Sequence, residues 1–309
     1  MEKIQGLHHI TAIASDARRN YEFYTKVLGL RLVKKTVNFD DPQTYHLYYG
    51  DEVGHAGTIL TFFPWAGVKK GHTGTGMATE IGYSVPEESL QFWEERFKKF
   101  NIVHDSVNEK FGEKYLAFED PDGLNMELVV SKNIDGRKPW ETSEVNSEVG
   151  IRGFSSVTLT LRNVKPTAII LTDVLGYELQ EQQGNRYRFI TNAVETANIV
   201  DIVESPLGAN GYGAAGINHH VAFRVKDDNI LMQYRDKVLS KGLSITTKIN
   251  RDYFFSLYFR EPGGVLFELA TDNPGFTIDE PVNELGSHLK LPQRYESERA
   301  KIEEILPAL

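Results

Sequence analysis

Cysteine is missing from all 309 residues of the chain. Its absence excludes disulfides, thiolate nucleophiles, zinc knuckles and cysteine-ligated iron–sulfur clusters together. Long apolar runs are missing too. No stretch approaches the ~20 residues that a membrane span requires, and no signal peptide pattern opens the chain, so the cytoplasm is the expected address. Positive charge is in deficit: 34 Lys and Arg stand against 43 Asp and Glu, a formal net charge of −9. That balance argues against nucleic acid and anionic membranes as partners, because both select basic surfaces. The rest is ordinary for a soluble globular protein, 40% hydrophobic and 25% charged. The length exceeds the usual ~100–200 residues per domain and predicts two domains. Any metal site must be built from His, Asp and Glu, donors that suit non-haem iron, manganese or catalytic zinc.

What is present is a repeat. His8–Ala14 alternates as a strand, Ser15-Asp16 offers a helix N-cap, and residues 17–28 carry Tyr21, Tyr24, Val27 and Leu28 at helical spacing before Gly29. Strands are expected at 31–37, 45–49 and 58–63, a β-α-β-β-β unit. The unit returns after Gly153: Ser156-Val157-Thr158-Leu159 stands where His9-Ile10-Thr11-Ala12 stood, and twenty residues separate both His9 from Gly29 and Ser156 from Gly176. A second unit also occurs twice. Thr79–Val85 matches His219–Val225, an amphipathic helix follows each (87–100 and 228–241), and each unit closes with two strands around Pro121-Asp122-Gly123 or Pro262-Gly263-Gly264. Both last strands carry a glutamate, Glu127 and Glu268. Self-similarity at fixed intervals is the mark of a duplicated fold. The expected fold is therefore α+β, four βαβββ modules paired into two domains with cup-shaped mixed sheets. The N-terminal domain takes residues 1–132, a polar linker 133–150, the C-terminal domain 151–272, and a tail packing across the domains 273–309.

The repeat places His9, Glu80 and Glu127 in one half, and Ser156, His220 and Glu268 in the other, at inward strand positions that are otherwise apolar. A buried carboxylate costs several kcal/mol unless it is paired or binds a metal, and Glu268 sits inside Val265-Leu266-Phe267-Glu268-Leu269. Adding His9 to His220 and Glu268 completes two histidines and one carboxylate, the donor set of non-haem Fe(II) oxygenases. The alternative, His9 with Glu80 and Glu127, is a carboxylate-rich site better suited to Mn(II) or Zn(II). A single strand histidine is ordinarily a hydrogen-bonded structural residue; two His-His pairs in the same strand phase, His8-His9 and His219-His220, shift the balance to a metal. Glu127 is read as structural or solvent-facing and paired with a basic neighbour, Glu80 as vestigial, and His46, His55, His72, His104 and His288 as surface residues or supports of a site.

These residues resemble the vicinal-oxygen-chelate superfamily, which includes glyoxalase I, fosfomycin-resistance proteins and extradiol dioxygenases. More narrowly, Leu7-His8-His9-Ile10-Thr11, Val33-Lys34-Lys35-Thr36-Val37, Tyr45-His46-Leu47-Tyr48, Gly216–Phe223, Asn250-Arg251-Asp252-Tyr253-Phe254 and Pro262-Gly263-Gly264-Val265 are similar to its hydroquinone ring-cleaving group, as is the tail at Gly275-Phe276-Thr277 and Leu291-Pro292. The resemblance implies an Fe(II)-dependent dioxygenase acting with O2 on a small hydroquinone-type aromatic, with iron ligands His9, His220 and Glu268 and catalytic residues His8, Arg251 and Tyr258. Arg251 would hold an oxyanion, Tyr258 would donate to a developing alkoxide, and His8 would move protons. Strict alternation points His8 away from the metal, so its role requires a bulged or twisted strand. Residues 253–255, Tyr-Phe-Phe, could wall a ring-sized pocket, with core packing the expected job of at least two of them. Two rival functions stand beside this one. A glyoxalase- or thiol-transferase-like metalloenzyme would need Glu80 or Glu127 in the metal site, and a non-catalytic binding protein would show a closed cup. A homo-oligomer is expected by superfamily habit.

Overall fold

The computed structural model describes residues 2–309. The four modules are all present. The first runs β1 (Leu7–Ala14), α1 (Ala17–Glu22), β2 (Arg31–Asn38), β3 (Asp41–Gly50) and β4 (Ile59–Pro64). The second has β5 (Met77–Ser84), α2 (Leu90–Phe100), β6 (Asn108–Lys110), β7 (Glu113–Glu119) and β8 (Asn125–Val129). The third has β9 (Gly153–Leu161), α3 (Val164–Ile169), β10 (Glu178–Gln183), β11 (Arg186–Ile190) and β12 (Ile199–Glu204). The fourth has β13 (Ile217–Val225), α4 (Asp228–Ser240), β14 (Ile249–Asn250), β15 (Phe255–Arg260) and β16 (Leu266–Thr271), and the tail ends in α5 (Arg299–Ile305).

The duplication reaches into local geometry. Asp16 caps α1 by accepting from the Arg19 amide, and Asn163 caps α3 by accepting from Lys165. Each helix then widens into a π turn, Phe23–Val27 and Ile170–Val174, closed by Leu28 N–H to Phe23 C=O and by Leu175 N–H to Ile170 C=O, both 3.0 Å. Gly29 and Gly176 end these turns with φ of +70° and +78°, where an L side chain would be strained. The helix expected over 17–28 is thus half α and half π.

The sheets cut across the chain halves. One has the order β14-β15-β16-β13-β1-β4-β3-β2 and the other β10-β11-β12-β9-β5-β8-β7-β6. The first module therefore pairs with the fourth, and the second with the third, through the antiparallel seams β1–β13 and β5–β9. Division at 133–150 marks the repeat in sequence; sheet partners lie across it. The chain changes sheet at two glycine-rich crossings, 65–76 and 205–216, which run against each other: Gly71 N–H donates to Ala215 C=O at 2.8 Å and Thr75 N–H to Ala209 C=O at 2.9 Å. A Cβ at Gly74 would lie 2.4 Å from the Gly211 nitrogen, so the crossing excludes any side chain there.

Residues 133–150 were expected to form a solvated linker. Ile134 is exposed, yet the segment is pinned. Arg137 donates to Gly57 C=O and Phe154 C=O, and Val145 is fully buried against Gly29. The tail returns to the first module, where Lys290 N–H donates to Lys35 C=O at 2.9 Å. Beneath it Lys34, fully buried, is paired with Asp279 and Glu280. No helix among the described residues is long and apolar enough to cross a membrane.

Asp120, in the β7–β8 turn, accepts from the Asp122 and Leu124 amides at 2.8 Å and from the Tyr24 hydroxyl at 3.1 Å. Burial raises its pKa to about 6. A carboxyl raised above its unfolded value of ~3.9 contributes stability that is complete below that value and is lost as pH climbs through the folded pKa. Asp120→Asn mimics the neutral acid, so urea unfolding of wild type should weaken by about 2 kcal/mol relative to the variant between pH 4 and pH 7. Parallel pH profiles would show that Asp120 is not the group responsible.

Candidate metal centre

The β1–β13 seam builds the site. His9 lies opposite Ala222, Ala222 beside Glu268 on β16, and Glu268 opposite Tyr258 on β15. The four form one row across four strands, facing the same way, and His220 lies two residues before Ala222 on that face. Ala222 is the small member of the row, and its single methyl lets the larger groups on either side converge. The Nε2 atoms of His9 and His220 are 3.3 Å apart and lie 3.2 Å and 2.9 Å from Oε2 of Glu268. All three side chains are buried.

These atoms fit a metal ion. Ligands neighbouring one another on a first-row metal with ~2.1 Å bonds are separated by about 3.0–3.4 Å. Oε1 of Glu268 accepts from the Ser256 hydroxyl, whereas Oε2 is fully buried with no hydrogen-bond donor. Such an atom costs about 1–3 kcal/mol or more unless something positive meets it. Burial pushes the Glu268 carboxyl up, but the two histidines hold it well below the usual range, and burial lowers His220. An ionised carboxylate and a neutral imidazole are the forms that bind metal.

Both leading histidines are β-bulge residues. The register slips between Leu7 and His9 on β1, and opposite His219 on β13. Each bulge brings two adjacent rings together by the same atoms: His8 Nδ1 is 2.9 Å from His9 Nδ1, and His219 Nδ1 is 2.8 Å from His220 Nδ1. The Nδ1 atoms of His9 and His220 are thereby engaged and their Nε2 atoms face the carboxylate, as metal-ligating histidines require. The bulge that alternation demanded of His8 exists. It directs His8 to the far side of His9, however, rather than into the cavity. Burial lowers His8 to about 3.

A cavity of about 250 Å3 opens in front of His9 and His220. Roughly 150 Å3 holds a benzene ring, so one substituted ring fits. Arg251 and Tyr258 both reach it, and Arg251 Nε–H donates to the Tyr258 hydroxyl oxygen at 3.3 Å. Burial and the Glu268 charge raise the Tyr258 pKa far above the physiological range, so the phenol is protonated. Phe254 packs on His9 with ring centroids 4.9 Å apart; Tyr253 stacks on Phe276 in a core cluster and Phe255 lies outside the cavity. One aromatic of three walls the pocket.

The structure brings His9, His220 and Glu268 together, with Arg251 and Tyr258 beside them. It does not bring in Glu80 or Glu127. Those two lie in the other sheet, in a row of the same construction: Ser156, Gly82 and Glu127. Lys110 pairs with Glu127, and Arg186 with Glu80 at 3.1 Å, so side-chain cations fill that cup. His46, His219, Phe63, Trp65 and the 38–40 turn also line the cavity. His46 shares its strand phase with Tyr48, a usable signal, but the turn has no periodicity to mark it.

Residues 6–128 and 153–269 match the model of the Glyoxalase/Bleomycin resistance protein/Dioxygenase superfamily. The chain belongs to that superfamily. It is 43% identical to a Bacillus subtilis protein named, provisionally, ring-cleaving dioxygenase MhqO, over 99% of this chain and 97% of that one. It is 36% identical to the chlorohydroquinone/hydroquinone 1,2-dioxygenase of Sphingobium indicum, over 96% and 94%. A crystal structure of a Bacillus subtilis protein assigned provisionally as a dioxygenase superposes with a TM-score of 0.96 at 42% identity, covering 100% of this chain and 98% of that one. Glyoxalase I from Zea mays shares the superfamily fold, with a TM-score of 0.62 at 16% identity.

Proposed function

We propose that this superfamily member is a ring-cleaving dioxygenase that holds Fe(II) with His9, His220 and Glu268 and opens a hydroquinone-type ring with O2. The carrying observation is the unpartnered Oε2 of Glu268, converging with two Nε2 atoms at the back of a cavity sized for one substituted ring. Names of full-length relatives support the reaction class. Fe(II), once bound, supplies the redox path between an electron-rich aromatic and oxygen.

The remaining work belongs to side chains. Phe254 and Phe63 provide apolar surface on which a ring packs. Tyr258, protonated, donates from its hydroxyl to an oxygen that gains negative charge, and the Arg251 guanidinium polarises that phenol through Nε–H. His8 and His219 hold His9 and His220 by their Nδ1 atoms, and so act as positioning residues. The glyoxalase-like rival needs Glu80 or Glu127 in the metal site, and both lie in the other sheet, engaged by Arg186 and Lys110.

The test is oxygen consumption by protein loaded anaerobically with Fe(II). Uptake with hydroquinone is expected, and its loss in His220→Ala. Uptake with catechol alone would overturn the substrate class, and none with Fe(II), Mn(II) or Zn(II) would overturn the oxygenase.

A further inference from the structure

The outer wall of the cavity is the turn joining β2 to β3, where Asn38, Phe39 and Asp40 all line it. Within the first module the turn is held by its own hairpin, where Asn38 pairs with Asp41 and Asp41 accepts from the Thr44 hydroxyl at 2.8 Å. The β2–β3 register slips between Val37 and Asn38, and Asn38 Oδ1 accepts only from the Asp40 amide at 2.9 Å. Further support, aimed at the Phe39 carbonyl, comes from the far end of the chain. The Arg294 guanidinium and the Tyr295 hydroxyl both donate to the Phe39 carbonyl, the latter at 2.9 Å. The same guanidinium lies 5.9 Å from the Phe39 ring centroid. Two donors on one carbonyl, a charged one among them, are a stronger hold than a single neutral hydrogen bond.

The turn also conveys position to the rest of the mouth. Asp41 accepts from the indole Nε1–H of Trp65, another cavity residue, at 3.0 Å. Across the opening, the Asp40 carboxylate lies 3.5 Å from Arg251. The tail segment is itself anchored below: Asp279 accepts from the Tyr253 hydroxyl at 3.0 Å and pairs with buried Lys34.

We propose that the C-terminal tail is a specificity element, in which Arg294 and Tyr295 clamp the Phe39 carbonyl and so fix the cavity wall that limits ring substituents. They are positioning residues, since neither lines the cavity. The proposal rests on the dioxygenase reading and deepens it: small hydroquinones are favoured over bulky ones because the wall is held in.

The experiment compares hydroquinone with tert-butylhydroquinone in Fe(II)-loaded wild type, Arg294→Ala, Arg294→Lys and Tyr295→Phe, the last removing one hydroxyl only. Loss of one hydrogen bond to the carbonyl should raise KM for hydroquinone about fivefold while kcat stays within about twofold. Preference for the smaller ring should fall by a similar factor, and Arg294→Lys should recover most of it. Unchanged KM and preference in both Arg294→Ala and Tyr295→Phe would overturn the proposal. So would a fall in kcat and melting temperature with preference intact, which is the mark of a merely structural tail. If wild type consumes oxygen with neither compound, the dioxygenase reading fails. The clamp is then judged by calorimetric titration of hydroquinone into the Fe(II)-loaded protein: a fivefold weaker Kd in the variants supports it, and an unchanged one overturns it.

Discussion

Glu268→Gln should release the metal, with affinity falling about a hundredfold or more and oxygen consumption lost with it. Apparent binding energies of ~10–16 kcal/mol for a four-ligand zinc site amount to roughly 3 kcal/mol per ligand, which is about two powers of ten in affinity. Glutamine keeps the volume and an oxygen for the Ser256 hydroxyl. It loses the charge on the one oxygen that has no donor in the protein. The change therefore isolates the electrostatic role from packing. Competition against a chromophoric chelator gives the affinity, and metal content after dialysis checks it. Equal retention of metal by the variant would remove Glu268 from the ligand set and leave a fully buried carboxylate in need of another explanation.

Arg188→Met should lower unfolding free energy by about 3–5 kcal/mol, the usual cost of removing one partner from a buried ionic group. Arg188 makes two hydrogen bonds of 2.9 Å to Asp201 and a further one to Glu113, and it packs 4.4 Å from the Phe111 ring centroid. Asp201 and Glu113 are buried at 0% and 4% exposure, so Glu113 would lose its cation and Asp201 would keep only Arg186, 3.8 Å away. The contact joins β11 to β7, opposite wings of the second sheet. The triple change Arg188→Met, Asp201→Leu, Glu113→Leu should recover most of the loss, because apolar replacement of a whole buried cluster is often neutral. Urea midpoints measure both. A loss below about 1 kcal/mol for Arg188→Met would place the network among weak surface pairs.

The two cups show why one reading of the repeat could not be chosen from residue types alone. His9, Glu80 and Glu127 sit in the same half of the chain and at equivalent strand positions. Only the sheet order separates them, by placing β1 beside β13 and β5 beside β9. Glu127 does pair with a basic neighbour, as expected, but it is buried rather than solvent-facing, and that neighbour, Lys110, comes from a three-residue edge strand. His8 was harder to place. Alternation assigns a face to every strand residue, and a bulge resets that assignment by one position. Nothing in Leu7-His8-His9-Ile10 distinguishes a regular strand from one with an extra residue.

Family resemblance singled out Arg251 and Tyr258, whereas the amino-acid sequence read by itself determined the four modules, their helices, the exclusion of cysteine chemistry, and the candidates His9, His220 and Glu268. These follow from local rules, since hydrophobic period, capping residues and repeat spacing act within a few turns of chain. Tertiary structure alone decided which module pairs with which, how Ala222 makes room between His9 and Glu268, and how bulges turn His8 and His219 toward the outer nitrogens of their neighbours. It also decided that Arg294 and Tyr295, more than 250 positions from Phe39, grip its carbonyl. Contacts of that span depend on strand pairing and the return path of the tail, and no local pattern encodes either.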